Sequence, residues 1–499
     1  MKRLVRPLLL SACSATLLFG SLRDARAALP EEPSQLTRTT SYSEMETLLH
    51  SFEGSPSFQL TAAGQSRSGR TLYLARLRRS ESPRWRLFFY AQQHGDEVSG
   101  KDALLFLMRD IVRDPERLPA DFELWVMPMV NPDGAEAGTR VNAAGADVNR
   151  DHLALEQPET LALHRVVQRV RPHLAVDCHE FARDAESWTA RGWAKWPDIT
   201  FDALNNPLFD RGTVGEARRW IGVAQSAVER AGHRFLRYWV GGVPPDEEQR
   251  HSAPDLDSAM NAVGAYGGLS FIAEAAARRG PEAEAKELGA RVHAYLALLR
   301  GVVEEASLHH DALGALDRAE SRKLPAFLPT NYFWANAADR VSSFPVLELA
   351  TGRTVEVATP NLMIDLVVKR SVPTPLAYAV EGGSPGASEF AALLERHAIP
   401  FERLAAPRAV EAESCTLLRV EDDFDEVYAR YEGRQIVRRE PPQHRELPPG
   451  SLWIPLEGEA AVRAALLLEP TSLYGLYQVP SFRGLVAPGG AVPVLRVMR

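Results

Sequence analysis

The chain changes its hydrophobic period abruptly within one short stretch, and that change restricts the folds open to it. Trp85-Arg86-Leu87-Phe88-Phe89-Tyr90 is an apolar and aromatic run of strand type. Beyond it, Val98 to Val112 places Leu104, Leu105, Leu107, Met108 and Ile111 at helical spacing. From about Leu72 to Leu308 strand-like and helix-like stretches go on alternating, as in an α/β layer structure. Phe122 to Met127 reads as a strand, with a turn signal, Asn131-Pro132-Asp133-Gly134, after it. Leu161 to Val170 reads as a helix, and His173 to His179 as the strand that follows. Arg211 to Ala231 and Pro281 to Ala306 read as long helices. Between them lies the short strand Leu269 to Glu274, which ends in a carboxylate.

The junction of the first strand and helix carries Gln93-His94-Gly95-Asp96-Glu97. In open α/β sheets ligands bind at the carboxyl ends of the strands, where His94 and Glu97 sit. A histidine and a carboxylate three residues apart can grip one metal ion, and His179 would complete a three-ligand zinc site that keeps a fourth position for water. His-x-x-Glu also arises by chance on solvated surfaces, so the pair takes its meaning from this setting. Neighbours in a strand face opposite ways, which sends Cys178 into the core and turns Glu180 away from the ligand side. For His152 a hydrogen-bonding loop role is expected.

The pattern breaks near Leu324-Pro325 to Pro329. Thr354 to Val372 then reads as strands, and Pro375 to Val380, Ala387 to His397 and Phe401 to Leu404 read as one β-α-β unit. Residues 325–499 are therefore expected to form a β-rich or α+β accessory domain, with no chemistry assigned. Gly382 to Gly386 lacks the lysine and spacing of a phosphate loop and reads as an ordinary loop.

The chain has 499 residues, 45% of them hydrophobic, enough for more than one domain. Its formal charge of −8, with no basic stretch interleaved with aromatics, argues against nucleic acid as a partner. Basic residues at the start, an apolar stretch around Leu8 to Leu22 and then Ala25-Arg26-Ala27 read as a secretory signal over residues 1–27. Five cationic residues and one anionic residue would leave with it, taking the charge from −8 to −12. The expectation is an exported protein, periplasmic or extracellular, without a transmembrane segment. Lipoprotein anchoring at Cys13 is the lesser alternative. Cys178 and Cys415 do not make a disulfide scaffold.

Several short motifs occur together in one order. Gly64-Gln65-Ser66-Arg67-Ser68-Gly69-Arg70, His94-x-x-Glu97, Asn131 to Gly134, Arg140, Asp147-Val148-Asn149-Arg150, His179 and Glu274 resemble the zinc carboxypeptidases related to carboxypeptidases A and B. The resemblance covers roughly residues 40 to 310, within a catalytic domain placed at 28–320. It implies a mixed, mostly parallel β-sheet flanked by helices and one zinc ion per chain, held by His94, Glu97 and His179. The ion would bring the pKa of its water from near 16 to about 7. Glu274 would be the general base, and Arg140 would stabilise the charge developing on the scissile carbonyl. Asn149 and Arg150 would clamp the free C-terminal carboxylate of a peptide. Asp147 would orient the first zinc histidine from behind, and Tyr266 is the candidate for the family's mobile tyrosine.

The sequence departs from the pancreatic enzymes in having shorter spacing between His94 and His179 and around Arg140. It leaves no room for a folded inhibitory propeptide after Ala28. Gly241 to Asn261 is the expected substrate-facing loop. The function expected is that of a metallocarboxypeptidase acting on peptides, cell-wall peptides among them. The alternatives are a zinc-dependent deacylase or cell-wall peptide amidase, or a non-catalytic relative that binds peptide or carbohydrate. Loss of the base or of a ligand would mark the last, and neither is lost.

Overall fold

The computed structural model describes residues 29–278, 280–311, 313, 324–336, 343–360, 362–425, 430–472, 475–476 and 479–498. The expected signal, residues 1–27 with Cys13, lies outside the described residues. Eight strands make the main sheet: β1 (Phe58–Gln65), β2 (Thr71–Arg78), β3 (Trp85–Ala91), β4 (Phe122–Met127), β5 (Leu174–Ala182), β7 (Ile199–Ala203), β8 (Phe235–Arg237) and β11 (Leu269–Ala277), in the order β1-β2-β4-β3-β5-β11-β7-β8. The short strands β6 (Trp193–Lys195), β9 (Val240–Gly241) and β10 (Gln249–Arg250) lie outside it. The four central strands β4, β3, β5 and β11 are mutually parallel, and β1, β2 and β7 join antiparallel. The sheet is mixed and mostly parallel, as expected.

Both faces of this sheet are covered, which is why β3 reads as an unbroken apolar run rather than an alternating one. Leu87, Phe89 and Ala91 pack in a cluster with Leu104 and Met108 of the helix Ser99–Arg113 and with Val292, Tyr295 and Leu299 of the helix Pro281–Leu308. Phe88 and Tyr90 point the other way, into a cluster with Leu163, Val166 and Val167 of the helix Pro158–Val170 and with Ala259 and Val263 of the helix Ala259–Gly264. Cys178 is buried in the first of these clusters, on the face expected for it.

Two sequence expectations change in detail. Asn131 to Gly134 opens a short helix, Pro132–Ala137, because the Asn131 side chain accepts the Gly134 N–H and Pro132 stands at its first turn, where a missing N–H costs nothing. Glu274 is not the last strand residue, since β11 continues to Ala277 against β5 and to Ala275 against β7.

The C-terminal segment contributes β12 (Phe327–Asn336), β13 (Ser343–Glu348), β14 (Thr354–Ala358) and β15 (Leu362–Pro373). These do not form a sheet of their own. β13 pairs with β6, and β15 pairs with β10, so this part of the chain extends strands of the preceding segment. A six-stranded antiparallel sheet follows, flanked by the helices Ala387–Arg396 and Ala461–Leu468, and gives the remainder an α+β character.

Close approach between the helix Ser99–Arg113 and β5 depends on Gly100, where an added Cβ would lie 2.6 Å from the Cys178 Cβ. Gly215, exposed on the helix Arg211–Arg230, has nothing within 4 Å of the same position. Replacing either by alanine gains up to about 1 kcal/mol in helix propensity, but at Gly100 the overpacking, about 1–3 kcal/mol, outweighs it. Urea denaturation is expected to show Gly100→Ala destabilised and Gly215→Ala stabilised; equal shifts would refute the tight helix–strand contact.

Candidate active site

The loop after β3 is built to hold His94 and Glu97 in one place. Gln92 adopts a left-handed conformation (φ 59°), which turns the chain sharply out of the strand. Its side chain donates to the Gly95 carbonyl at 2.8 Å. Gly95 backs against the Asn131 helix so closely that a Cβ would lie 2.0 Å from the Gly134 carbonyl carbon. Asn131 Nδ2 donates to the Gln93 and Arg140 carbonyls, joining the two loops. Asp133 is held in turn by the earlier Gly64 to Arg70 stretch, accepting from Ser66 Oγ at 3.0 Å, Ser68 N at 2.8 Å and Arg70 Nη1 at 2.6 Å. That motif therefore supports the ligand loop and does not itself touch the ligands.

Three side chains converge. Glu97 Oε1 lies 2.7 Å from His94 Nδ1 and Glu97 Oε2 lies 2.7 Å from His179 Nδ1, and the two Nδ1 atoms are 3.1 Å apart. The far ring nitrogens are both occupied by carboxylates: Asp147 Oδ1 takes His94 Nε2–H at 3.1 Å, and Asp177 Oδ2 takes His179 Nε2–H at 2.9 Å. With those protons placed outward, both Nδ1 lone pairs and both Glu97 oxygens face one point, an arrangement of acceptors that a cation stabilises. One ligand atom from each residue lies within 4.8 Å of the others. Two imidazole nitrogens and a carboxylate oxygen are the donor types of a catalytic zinc site, and outward carboxylates are the usual partners of metal-binding histidines. Burial raises the Glu97 carboxyl, but the imidazoles of His94 and His179 against its two oxygens hold it well below its ordinary range.

The remaining expected residues are placed as follows. Asp147 also accepts Arg140 Nε at 2.9 Å, and Arg140 Nη1 stands 3.2 Å from His94 Nδ1 and 3.4 Å from Glu97 Oε1, at the rim of the donor set. Burial would raise Asp147, yet His94, Arg150 and Arg140 hold it well below the usual carboxylate range. Glu274 is the register partner of His179 across the parallel β5–β11 pair. Its side chain takes no hydrogen bond from the described residues, and burial pushes its pKa up to about 7 against the pull of His179, with Glu97 raising it further.

Asn149 is brought to the site but is engaged there. Its Oδ1 accepts from Ala259 N at 2.9 Å and Gln93 Nε2 at 3.2 Å, and its Nδ2 lies 3.2 Å from His179 Nε2. Arg150 donates to the Asn149 carbonyl at 2.8 Å and has Asp257 within 3.8 Å. Glu180 points away from the ligands, as expected, accepting Val98 N and Ser99 N at 3.2 Å at the start of the helix Ser99–Arg113.

Tyr266 requires a correction. Its hydroxyl is hydrogen-bonded to His164 Nδ1 at 2.9 Å and Gln168 Nε2 at 3.2 Å, and its ring lies 4.2 Å beneath the Arg463 guanidinium. It packs where the C-terminal segment meets the helix Pro158–Val170 and does not join the ligands.

Sequence reasoning missed Gln93, Asp177 and the polar chain behind them. Gln93 Nε2 donates to Asp177 at 2.8 Å, so its carbonyl oxygen faces His152 Nε2–H at 2.9 Å. His152 Nδ1 then accepts from His164 Nε2 at 2.9 Å, which leaves His164 Nδ1 to accept from Tyr266. Every proton in the row is assigned by its neighbour. An acidic residue inside an otherwise apolar strand, as at Asp177, was the available signal.

Residues 45–182 match the family model described as zinc carboxypeptidase. That stretch is of the zinc carboxypeptidase family. It spans His94, Glu97, Arg140, Asp147, Asn149, Arg150 and His179 and stops before Glu274. Carboxypeptidase 2 of Trichophyton rubrum is 26% identical over 199 residues, 39% of this chain and 37% of that protein. Carboxypeptidase SOL1 of Arabidopsis thaliana is 35% identical over 94 residues, 16% of this chain and 19% of its own length. The chain thus spans well under half the length of these curated relatives. A metallo-carboxypeptidase from Pseudomonas aeruginosa, solved with (2-guanidinoethylmercapto)succinic acid, superposes with a TM-score of 0.41 at 26% identity, covering 55% of this chain and 70% of that one.

Burial pushes His152 down to about 3 and His397, whose Nε2 donates to the Leu153 carbonyl, down to about 4. Both are neutral when folded and titrate at about 6.5 when unfolded. The unfolded chain therefore binds more protons below that value, and stability is lost as pH falls from about 6.5 toward 4. Thermal unfolding at pH 7.5 and at pH 5 is expected to give a lower midpoint at pH 5, with a smaller difference in His397→Gln; an equal difference would exclude His397 as a source.

Proposed function

We propose that the protein is a zinc-dependent metallocarboxypeptidase that releases the C-terminal residue of peptides. The observation that carries this reading is the position of Glu274, the register partner of His179 and beside three converging donors, His94 Nδ1, Glu97 and His179 Nδ1. Those three would hold one zinc ion, which when bound acidifies water and polarises a carbonyl. Glu274, whose carboxylate accepts no hydrogen bond from the described residues, takes the proton of the attacking water and returns it to the leaving amine. Arg140, oriented by Asp147, faces the scissile oxygen and stabilises its developing charge. Arg150, close by, offers a planar fork for the substrate's carboxylate. Asn149 serves mainly to fix Gln93 and the Ala259 helix. A peptide with a free C-terminus suits cationic groups on the far side of the scissile bond. We propose that it works outside the cytoplasm, on the basic, apolar and small-residue order of residues 1–27. Among the described residues no helix is long and apolar enough to cross a membrane.

The test is to measure bound zinc and C-terminal residue release for the full chain and for Glu274→Gln. About one zinc per chain is expected in both, with release reduced at least about 100-fold in the variant. Absence of zinc from the wild type, or unchanged release, would sink the reading. The base must be ionised to act, and its pKa stands near 7 before a dication lowers it. Accordingly kcat/KM should rise with pH along an acidic limb at or below about 7; a profile falling over that range would exclude Glu274 as the base.

A further inference from the structure

Beside the base stands a cation that the proposed reaction has not used. Lys195, on β6, donates its backbone N–H to the Arg183 carbonyl at 3.0 Å and pairs across the ladder with Val346 of β13. Its Nζ is 5.2 Å from the ring centre of Phe181, 5.7 Å from that of Trp239 and 6.0 Å from that of Trp188. Such distances are those of cation–π contact. Among the described residues no carboxylate or carbonyl accepts a hydrogen bond from this ammonium group. Aromatic faces hold a cation without neutralising it, so its charge and its three donors remain available to an anion.

The position relative to the metal donors follows from strand geometry. Phe181 lies two residues beyond His179 on β5, on the same face, roughly 7 Å along the strand. Glu274 is the register partner of His179 and is the charged group that Lys195 feels. Donor set and base thus share one face of the sheet with Phe181, the ring against which the lysine is caged. The cage is rigid: Trp239 stacks edge-on against Phe344 at 4.2 Å and lies 5.6 Å from Trp188, in a cluster that includes Val243 and Val346. Burial lowers Lys195 to about 8, with Glu274 opposing the shift, so it is cationic at neutral pH. By contrast, Asn149 has its amide engaged internally, and Arg150 has Asp257 nearby.

We infer that Lys195 is a substrate-binding residue that receives a carboxylate of the bound peptide on the leaving-group side of the scissile bond. This rests on the carboxypeptidase reading of the same site. The carboxylate has two possible sources, the α-carboxylate and an acidic side chain of the terminal residue, which share the chemistry a half-buried ammonium recognises.

The test compares full-length wild type, Lys195→Met and Lys195→Arg, all zinc-loaded and checked for unchanged melting temperature. Substrates are benzoyl-Gly-Glu and benzoyl-Gly-Gln, and glutarate binding to each protein is followed by calorimetry. The expected result is a rise in KM of at least tenfold in Lys195→Met with kcat little changed, partial recovery in Lys195→Arg, and loss of glutarate binding in the methionine variant alone. If the wild type prefers Glu over Gln and the preference vanishes in Lys195→Met, the side chain is the source; if both substrates lose equally, it is the α-carboxylate. A fall in kcat with KM unchanged, together with a displaced acidic limb, would mean that Lys195 tunes Glu274, and would overturn the inference. Unaltered kinetics and unaltered glutarate binding would overturn it as well. Should the wild type hydrolyse neither substrate, the proposed function fails, while glutarate binding still decides the inference: retention in Lys195→Met overturns it, loss supports it.

Discussion

The parallel pairing of β5 with β11 is the constraint on which the site depends. It sets His179 opposite Glu274, while β3 on the other side of β5 sets Ala91 opposite Cys178 and so fixes where the ligand loop leaves the sheet. A slip of one residue would exchange the two faces of a strand, turning His179 into the core and Cys178 toward the ligands. The sequence penalises such a slip on the face opposite His179, because Cys178 occupies a packed layer beside Gly100 and Glu180, two residues on, is bound at the start of the helix Ser99–Arg113. From the helix Pro281–Leu308, the Tyr295 hydroxyl adds a cross-brace to the His179 and Ala273 carbonyls. Register, and with it the juxtaposition of His179 and Glu274, is therefore specified by packing outside the site.

Concentrating so many ionisable groups at one sheet edge is costly, since burying an unpaired charge costs several kcal/mol even after relaxation. The arrangement answers this with neutral intermediaries. Gln93 ties Asp177 to Asn149 and to His152, both uncharged, and His152 passes the constraint to His164 and Tyr266. Replacing any of these by a charged residue would bury a second ion without a partner; replacing it by an apolar one would strand a hydrogen-bonding neighbour. The same row shows why His152 and His164 are not additional metal ligands: their nitrogens are already used.

What could be read from the sequence follows from how local each determinant is. His94 and Glu97 were legible because a change of hydrophobic period lies within a few residues of them, and Cys178, His179 and Glu180 because alternation within a single strand sorts them. Glu274 was legible as the one acidic residue of an apolar strand, although the strand does not end there but runs on to Ala277. Tyr266 was not, since its environment is set by Arg463 and His164, far away in sequence, and no local pattern reports that meeting. Lys195 was equally hidden. β6 is three residues long, too short to show a period, and its aromatic cage is assembled from β5, the helix Glu186–Thr189 and the loop after β8.

The C-terminal segment also takes on a different meaning once its pairings are known. A separate accessory sheet would leave the site indifferent to it. Instead β13 is hydrogen-bonded to β6, so that Phe344 and Val346 form the outer wall of the cluster holding Trp239 and Trp188. Trp196 donates to Thr354 Oγ1 at 2.8 Å, and Trp334 donates to the Ser252 carbonyl at 2.9 Å. A three-residue strand such as β6 has too few ladder bonds to hold a half-buried ammonium in place alone. The partner that completes it comes from residues 343–348. Residues 343–348, well beyond the stretch 45–182 that matches the family, thus supply one wall of the cluster around Lys195.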